Sequence, residues 1–179
     1  MKRFLLAVVV ASLTLATLGY AADKPQTKTA PAAASSNASA EFDKLKDLAG
    51  EWISRSKEDQ MSVTRHTYRV ISNGSAVMLT TEVPNEGPMV TMFYLDGPRL
   101  MATHFCGAKN QPRYVATNSP DPKTIVFKFK DGTNLNPAHD AYMSAVTFQF
   151  GDSDHHSQQW TFTENGKSRV DRFDLERSR

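Results

Sequence analysis

The sequence predicts an all-β fold, a single antiparallel up-and-down barrel of about ten strands preceded by one short helix, and three observations carry that expectation. After Trp52 the chain breaks into short runs rich in Val, Thr, Phe, Tyr and Met. The runs are divided by Asn73-Gly74, Asp96-Gly97, Asp131-Gly132 and Asn165-Gly166, pairs that accept the positive φ of tight reversals. In the clearer runs apolar and polar residues alternate: Ile125, Phe127 and Phe129 share one face while Lys128 and Lys130 share the other, and Trp160 and Phe162 alternate with Thr161 and Thr163. An open meander of ten strands would leave two exposed edges, and closing it removes both, so a barrel is favoured over a two-sheet sandwich.

The elements follow in order. Residues 1–21 place Lys2 and Arg3 before an apolar run from Phe4 to about Leu18 and end in the small residues Gly19 and Ala21, the pattern of a secretory signal peptide. The run is shorter than the roughly 20 residues a spanning helix needs. No cysteine follows it to carry a lipid anchor, so the expected location is periplasmic or secreted, with no stable membrane insertion. Residues 22–40 are mostly Ala, Ser, Thr, Pro, Asn and Lys without a large apolar side chain, which reads as a disordered tether. Phe42, Leu45 and Leu48 then recur at helical spacing and stop at Gly50. Strands are expected near 51–56, 61–72, 75–83, 88–95, 98–106, 112–118, 123–130, 141–150, 157–164 and 167–177. Residues 41–179 form one barrel domain, of ordinary size for a single core.

Charge and cysteine count narrow the function. The chain carries 21 basic and 19 acidic residues, and removing Lys2 and Arg3 with the signal leaves 19 of each. A neutral domain without a basic stripe is not a nucleic-acid binder. The single cysteine, Cys106, cannot form an intramolecular disulfide, so packing and the strand ladder must supply stability. The sequence leaves the oligomeric state and any cofactor open.

The densest polar cluster is HFCGAKNQPR, in which His104 and Cys106 end one strand, Asn110 and Gln111 occupy a loop and Arg113 enters the next strand. Loops on a rigid scaffold are where function concentrates, so these five are the candidate ligand-binding residues. The AGEW entry after a short helix, the VTMFYLDG hairpin and above all HFCGAKNQPR resemble the bacterial family called domain of unknown function 1579. The resemblance spans roughly residues 42 to 177. It implies a barrel related to the calycins, a group that includes lipocalins, fatty-acid-binding proteins and haem-binding nitrobindins, and it implies no activity.

Three functions are weighed. The leading one is a non-enzymatic module that holds a small apolar or amphipathic molecule, because such pockets pair an apolar wall with a few polar anchors. Met78, Met89, Met92, Met101 and Met143 suit an adaptable cavity, though core filling is the commoner use of methionine. The second is a haem- or metal-binding or thiol-based redox protein using His104 and Cys106, with His139 as a further ligand. His104 and Cys106 share a strand face about 7 Å apart, too far for a direct bond without a bulge. The third is a filled structural or interaction barrel.

Two further groups invite comparison with ordinary roles. His155 and His156 follow Gly151-Asp152-Ser153-Asp154, which could attract a divalent ion but is also what a hairpin loop uses. Arg69, Glu82, Arg113 and Arg172 lie in strands, where outward-facing solvent charge is the expected role and a carboxylate-binding lumen the alternative. No G-x-S-x-G or other catalytic spacing is present, and no catalytic residue is expected.

Overall fold

The structure is a computed structural model that describes residues 36–56 and 62–179. The expected signal peptide and the tether up to residue 35 lie outside the described residues. One helix, α1 (Ala38–Asp47), precedes ten strands: β1 (Gly50–Arg55), β2 (Val63–Ile71), β3 (Ala76–Glu82), β4 (Met89–Asp96), β5 (Arg99–Phe105), β6 (Gln111–Thr117), β7 (Thr124–Thr133), β8 (Tyr142–Phe150), β9 (His155–Glu164) and β10 (Lys167–Arg177). Each strand pairs antiparallel with the next, and β1 pairs with β10 to close the barrel. The closing seam is short. It consists of Trp52 opposite Arg177 and Ile53 opposite Glu176, whereas β9 and β10 run paired from Lys167 to Glu176.

The short helix begins earlier than the tether's composition suggests. Glu41 N–H donates to Asn37 O at 2.9 Å, and Ala38 is already buried. Phe42, Leu45 and Leu48 turn into the core as their spacing requires. The helix lies across the end of the barrel where β1 starts and β10 finishes. There Trp52 Nε1 donates to Leu48 O at 2.7 Å, and the Arg177 guanidinium donates to Ala49 O (2.9 Å), Asp47 O (3.3 Å) and Ser153 O (3.1 Å) while lying 4.2 Å over the Trp52 ring. Arg177 thus satisfies carbonyls at the helix C-terminus that the helix itself cannot. Gly50 makes the crossing possible: its φ is +125°, and a Cβ there would stand 3.0 Å from Arg177 Nη1.

The reversals expected at Asn73-Gly74, Gly97 and Asn165-Gly166 all take positive φ. Asp131-Gly132 does not turn the chain. It lies within β7, and the reversal follows it, with Asn134 at φ 50°. Glycine is needed at 132 for space, since a Cβ would come within 2.6 Å of Leu135 Cδ2.

Inside, the α1 end is filled. Phe93, Phe127 and Phe148 form a three-ring cluster with centroids 5.5, 5.5 and 6.0 Å apart, all fully buried. Val77, Leu79, Leu100, Ile125 and Leu175 pack around them. Burial of each ring contributes about 1.5–3 kcal/mol against its exposed state. The opposite, open end carries the loops at 83–88, 106–110, 134–141 and 165–166.

Candidate functional site

At the open end the inward side chains stop filling the barrel and leave a cavity of about 320 Å³. Met89, Met143, Trp160, Phe173 and Val83 give it an apolar wall, and His104 and Thr81 contribute buried polar groups. Glu86, Arg169 and Asp171 stand at its rim. Each side chain arrives by strand parity. Thr91 faces inward with Phe93 and so does Met89, His104 follows Leu100 and Ala102, and Trp160 follows Gln158.

Met143 is the exception. Counting back from inward Val146, strict alternation would put residue 143 on the outer face. The β8–β9 register shifts between Met143 and Ala145, so Ser144 is an extra residue and Met143 pairs with inward Phe162. Ser144 Oγ bonds outward to Thr163 Oγ1 at 2.8 Å, and Tyr114 Oη donates to Met143 O at 2.8 Å from inside. A bulge thus re-aims one methionine into the cavity.

His104 is buried beside Trp160, with ring centroids 4.9 Å apart. Its Nδ1 lies 2.9 Å from Thr91 Oγ1, and its Nε2 is buried without a hydrogen-bond partner. Burial holds its pKa down to about 4, so the ring is neutral at pH 7.

Deeper in, four further polar side chains form a network whose proton positions follow from chemistry. Trp160 Nε1 can only donate, and it meets Gln158 Oε1 at 2.8 Å. The Gln158 amide nitrogen therefore faces His66 Nδ1 at 3.1 Å and Tyr68 Oη, donating to both. Tyr68 in turn donates to His156 Nε2 at 3.1 Å. His66 and His156 are left as neutral acceptors at those nitrogens, so each carries its hydrogen on the other one, His66 Nε2 and His156 Nδ1, both buried without a partner, and no carboxylate belongs to this network. Their pKa values fall to about 3, for His66 through burial and then the neighbouring His156, and for His156 through burial and then Arg177. His156 also meets Trp52 edge to face at 4.3 Å.

The five candidates from HFCGAKNQPR separate in space. His104 lines the cavity. Cys106 is half-buried just beyond β5, its thiol raised in pKa mainly by burial, while backbone N–H groups of Ala108, Met143 and Gly107 approach the sulfur. Asn110 is buried and its amide donates to Ala141 O at 2.8 Å, tying the 106–110 loop to the 134–141 loop. Gln111 opens β6 opposite Thr133. Arg113 is exposed on the outer face, paired with Asp131.

The other in-strand charges, Arg69, Glu82 and Arg172, are exposed as well. His155 and His156 point to opposite faces, His155 outward to Asp152 at 2.8 Å and His156 inward. His139 sits in the 134–141 loop, its N–H on Asn136 O. Among the described residues no three His, Cys, Asp or Glu side chains gather to hold a metal ion, and no helix is long and apolar enough to cross a membrane. Sequence reasoning missed Thr91, Trp160, Phe173 and the His66, Tyr68, His156, Gln158 network. Period-two alternation in β2 and β9 is the signal that marks His66, Tyr68, His156 and Gln158 as inward.

A second cleft of about 370 Å³ follows the seam where β1 leaves β10, lined by Ser54, Arg55, Ser62, Thr64, Arg172 and Asp174 among others. Arg172 is engaged by Asp174 at 2.7 Å. Phe173 is the one large apolar side chain on that cleft and none of its lining residues carries a buried unpaired polar atom, so the open-end cavity is the better candidate.

Neither the protein-family models nor the curated proteins gave a match. The family likeness read from HFCGAKNQPR is not confirmed by them. Among solved structures the chain is similar to the crystal structure of Rv2717c from M. tuberculosis, with a TM-score of 0.47 and 15% identity, covering 77% of this chain and 97% of that one.

Proposed function

We propose that the protein is an exported binding module that holds a small, largely apolar molecule in the open-end cavity and catalyses no reaction. The observation that supports this most is a 320 Å³ cavity whose wall is Met89, Met143, Trp160 and Phe173 and whose polar floor holds the unpaired Nε2 of His104. That volume sits at the low end of small-molecule sites, about 300–1,000 Å³, and the mixture of apolar wall with one or two polar anchors is their usual composition. Methionines at two of the wall positions let the cavity adapt to its occupant.

Native mass spectrometry of the protein purified from its own compartment without denaturation tests the reading. The expected result is a co-purified organic molecule of a few hundred daltons, absent from a Val83→Trp variant that fills the cavity. A bare polypeptide mass that persists when apolar compounds are added would contradict it.

A further inference from the structure

We propose that the open-end cavity takes a neutral, largely apolar molecule through a carbonyl oxygen, which accepts a hydrogen bond from Nε2–H of His104. The inference rests on reading that cavity as a ligand site and specifies the chemistry of what enters it.

The proton on Nε2 follows from Thr91. This side chain is 1% exposed, and the one hydrogen-bond partner of its hydroxyl among the described residues is His104 Nδ1 at 2.9 Å. A hydroxyl has one hydrogen, and in a dry site it must give it to an acceptor. Nδ1 is the acceptor within reach, so it carries the lone pair and the neutral ring carries its hydrogen on Nε2. The opposite tautomer would orphan both the Thr91 hydrogen and the Nε2 lone pair. What remains unpaired is a buried donor. Its natural partner is an oxygen acceptor, whereas an alcohol hydrogen, an amine hydrogen or a metal ion would each need a lone pair that Nε2 does not offer.

The surroundings decide between a carbonyl and a carboxylate. Glu86 and Asp171 stand at the rim, and the one cation there, Arg169, already bonds Asp171 at 3.3 Å and lies 4.2 Å over the Phe162 ring. An anion would lose its hydration facing two carboxylates and gain one neutral donor, which is unfavourable. A neutral carbonyl loses less. Flat walls at Trp160 and Phe173 favour a planar body. Because Nε2 is itself buried, the ligand's oxygen must displace a wall side chain, and Met89 and Met143 are the unbranched, deformable members of that wall.

The test uses the 15N-labelled protein at pH 7 and three probes of one shape: 2-acetylnaphthalene, 2-ethylnaphthalene and 2-naphthoate. Long-range proton–nitrogen spectra should show His104 protonated at Nε2 before any probe is added. The ketone should bind about tenfold tighter than the hydrocarbon, as expected for pairing a buried donor, and tighter than the naphthoate. The Nε2 resonance should move with the ketone and not with the hydrocarbon. His104→Phe should bring the ketone down to the hydrocarbon's affinity. A proton on Nδ1 in the unmodified protein, or the naphthoate as the tightest probe, overturns the proposal. Equal binding of ketone and hydrocarbon overturns the oxygen contact and leaves the cavity a ligand site, whereas no response to any of the three removes the binding reading as well.

Discussion

At the α1 end of the barrel the inward side chains are Phe93, Phe127 and Phe148, fully buried against one another, while at the open end they are Met89, Met143, Trp160 and Phe173 around empty space. The three buried histidines do not divide by satisfaction: each keeps one ring nitrogen without a hydrogen-bond partner, Nε2 in His66 and His104 and Nδ1 in His156, and what differs is what surrounds them. His66 and His156 belong to a chain of bonds in which every step from Trp160 to His156 has a defined donor and acceptor. His104 has its one bond with Thr91 and lines the open-end cavity. Hydrogen-bonded side chains fix a core, and an unmet donor on a residue that lines the open-end cavity is a group a ligand could meet. One barrel thus has a filled end and a hollow end along its axis, and the proposed binding falls to the hollow one.

Acid should produce the largest effect, through all three buried histidines. The unfolded chain takes up protons at its histidines near pH 6.5, whereas folded His66 and His156 resist to about 3 and His104 to about 4. A folded pKa below the unfolded one means stability is complete above pH 6.5 and drains as pH falls towards 3. Urea unfolding at pH 7 and pH 4.5 should differ by several kcal/mol, about 1.4 kcal/mol for each histidine and pH unit traversed. A His66→Gln, His156→Gln double variant should flatten that profile, and an unchanged slope would place the histidines outside the acid response.

Phe127→Ala should come next, with a loss of about 3–5 kcal/mol from a large-to-small change in a filled core, while the open-end cavity should still take naphthalene in conditions where the variant is folded. Arg177→Met should cost about 2 kcal/mol, the worth of charged hydrogen bonds to helix-end carbonyls, read as a lowered urea midpoint at constant slope. A change confined to the slope would mean that the seam alters the unfolded state instead. The smallest effect on stability belongs to the open end. Thr91→Val combined with His104→Phe removes both partners of one bond, so stability should move by less than about 1 kcal/mol while ketone binding falls.

The strands were legible to within a residue or two because their signals are local, except that β7 runs to Thr133, three residues past its expected end. Asn73-Gly74 and Asn165-Gly166 turn the chain, and Ile125, Phe127 and Phe129 share an inward face. Asp131-Gly132 has the composition of a turn, yet its glycine answers crowding from Leu135, a contact no local pattern reveals. The site was legible in part. HFCGAKNQPR drew attention to His104, but a strand, a turn and a second strand distribute its residues: Arg113 goes to the outer wall and Asn110 into a loop-to-loop bridge. Trp160 was readable as inward, but its place beside His104 depends on closing ten strands into a ring. Met143 depends on a bulge that its sequence does not announce.

Methionine supplies the most direct test of an axis divided between stability and binding, because the same side chain occurs on both sides of the wall. Met89 and Met143 line the cavity, whereas Met78 and Met92 lie half-buried on the outer face and Met101, though buried, has the opposite strand parity to inward Leu100 and Ala102. Methyl spectra of 13C-methionine-labelled protein, recorded with and without naphthalene, should show the Met89 and Met143 resonances moved by the ring and the other three in place. Movement of Met78, Met92 or Met101 with Met89 and Met143 still would put the ligand on the outer face and contradict the account.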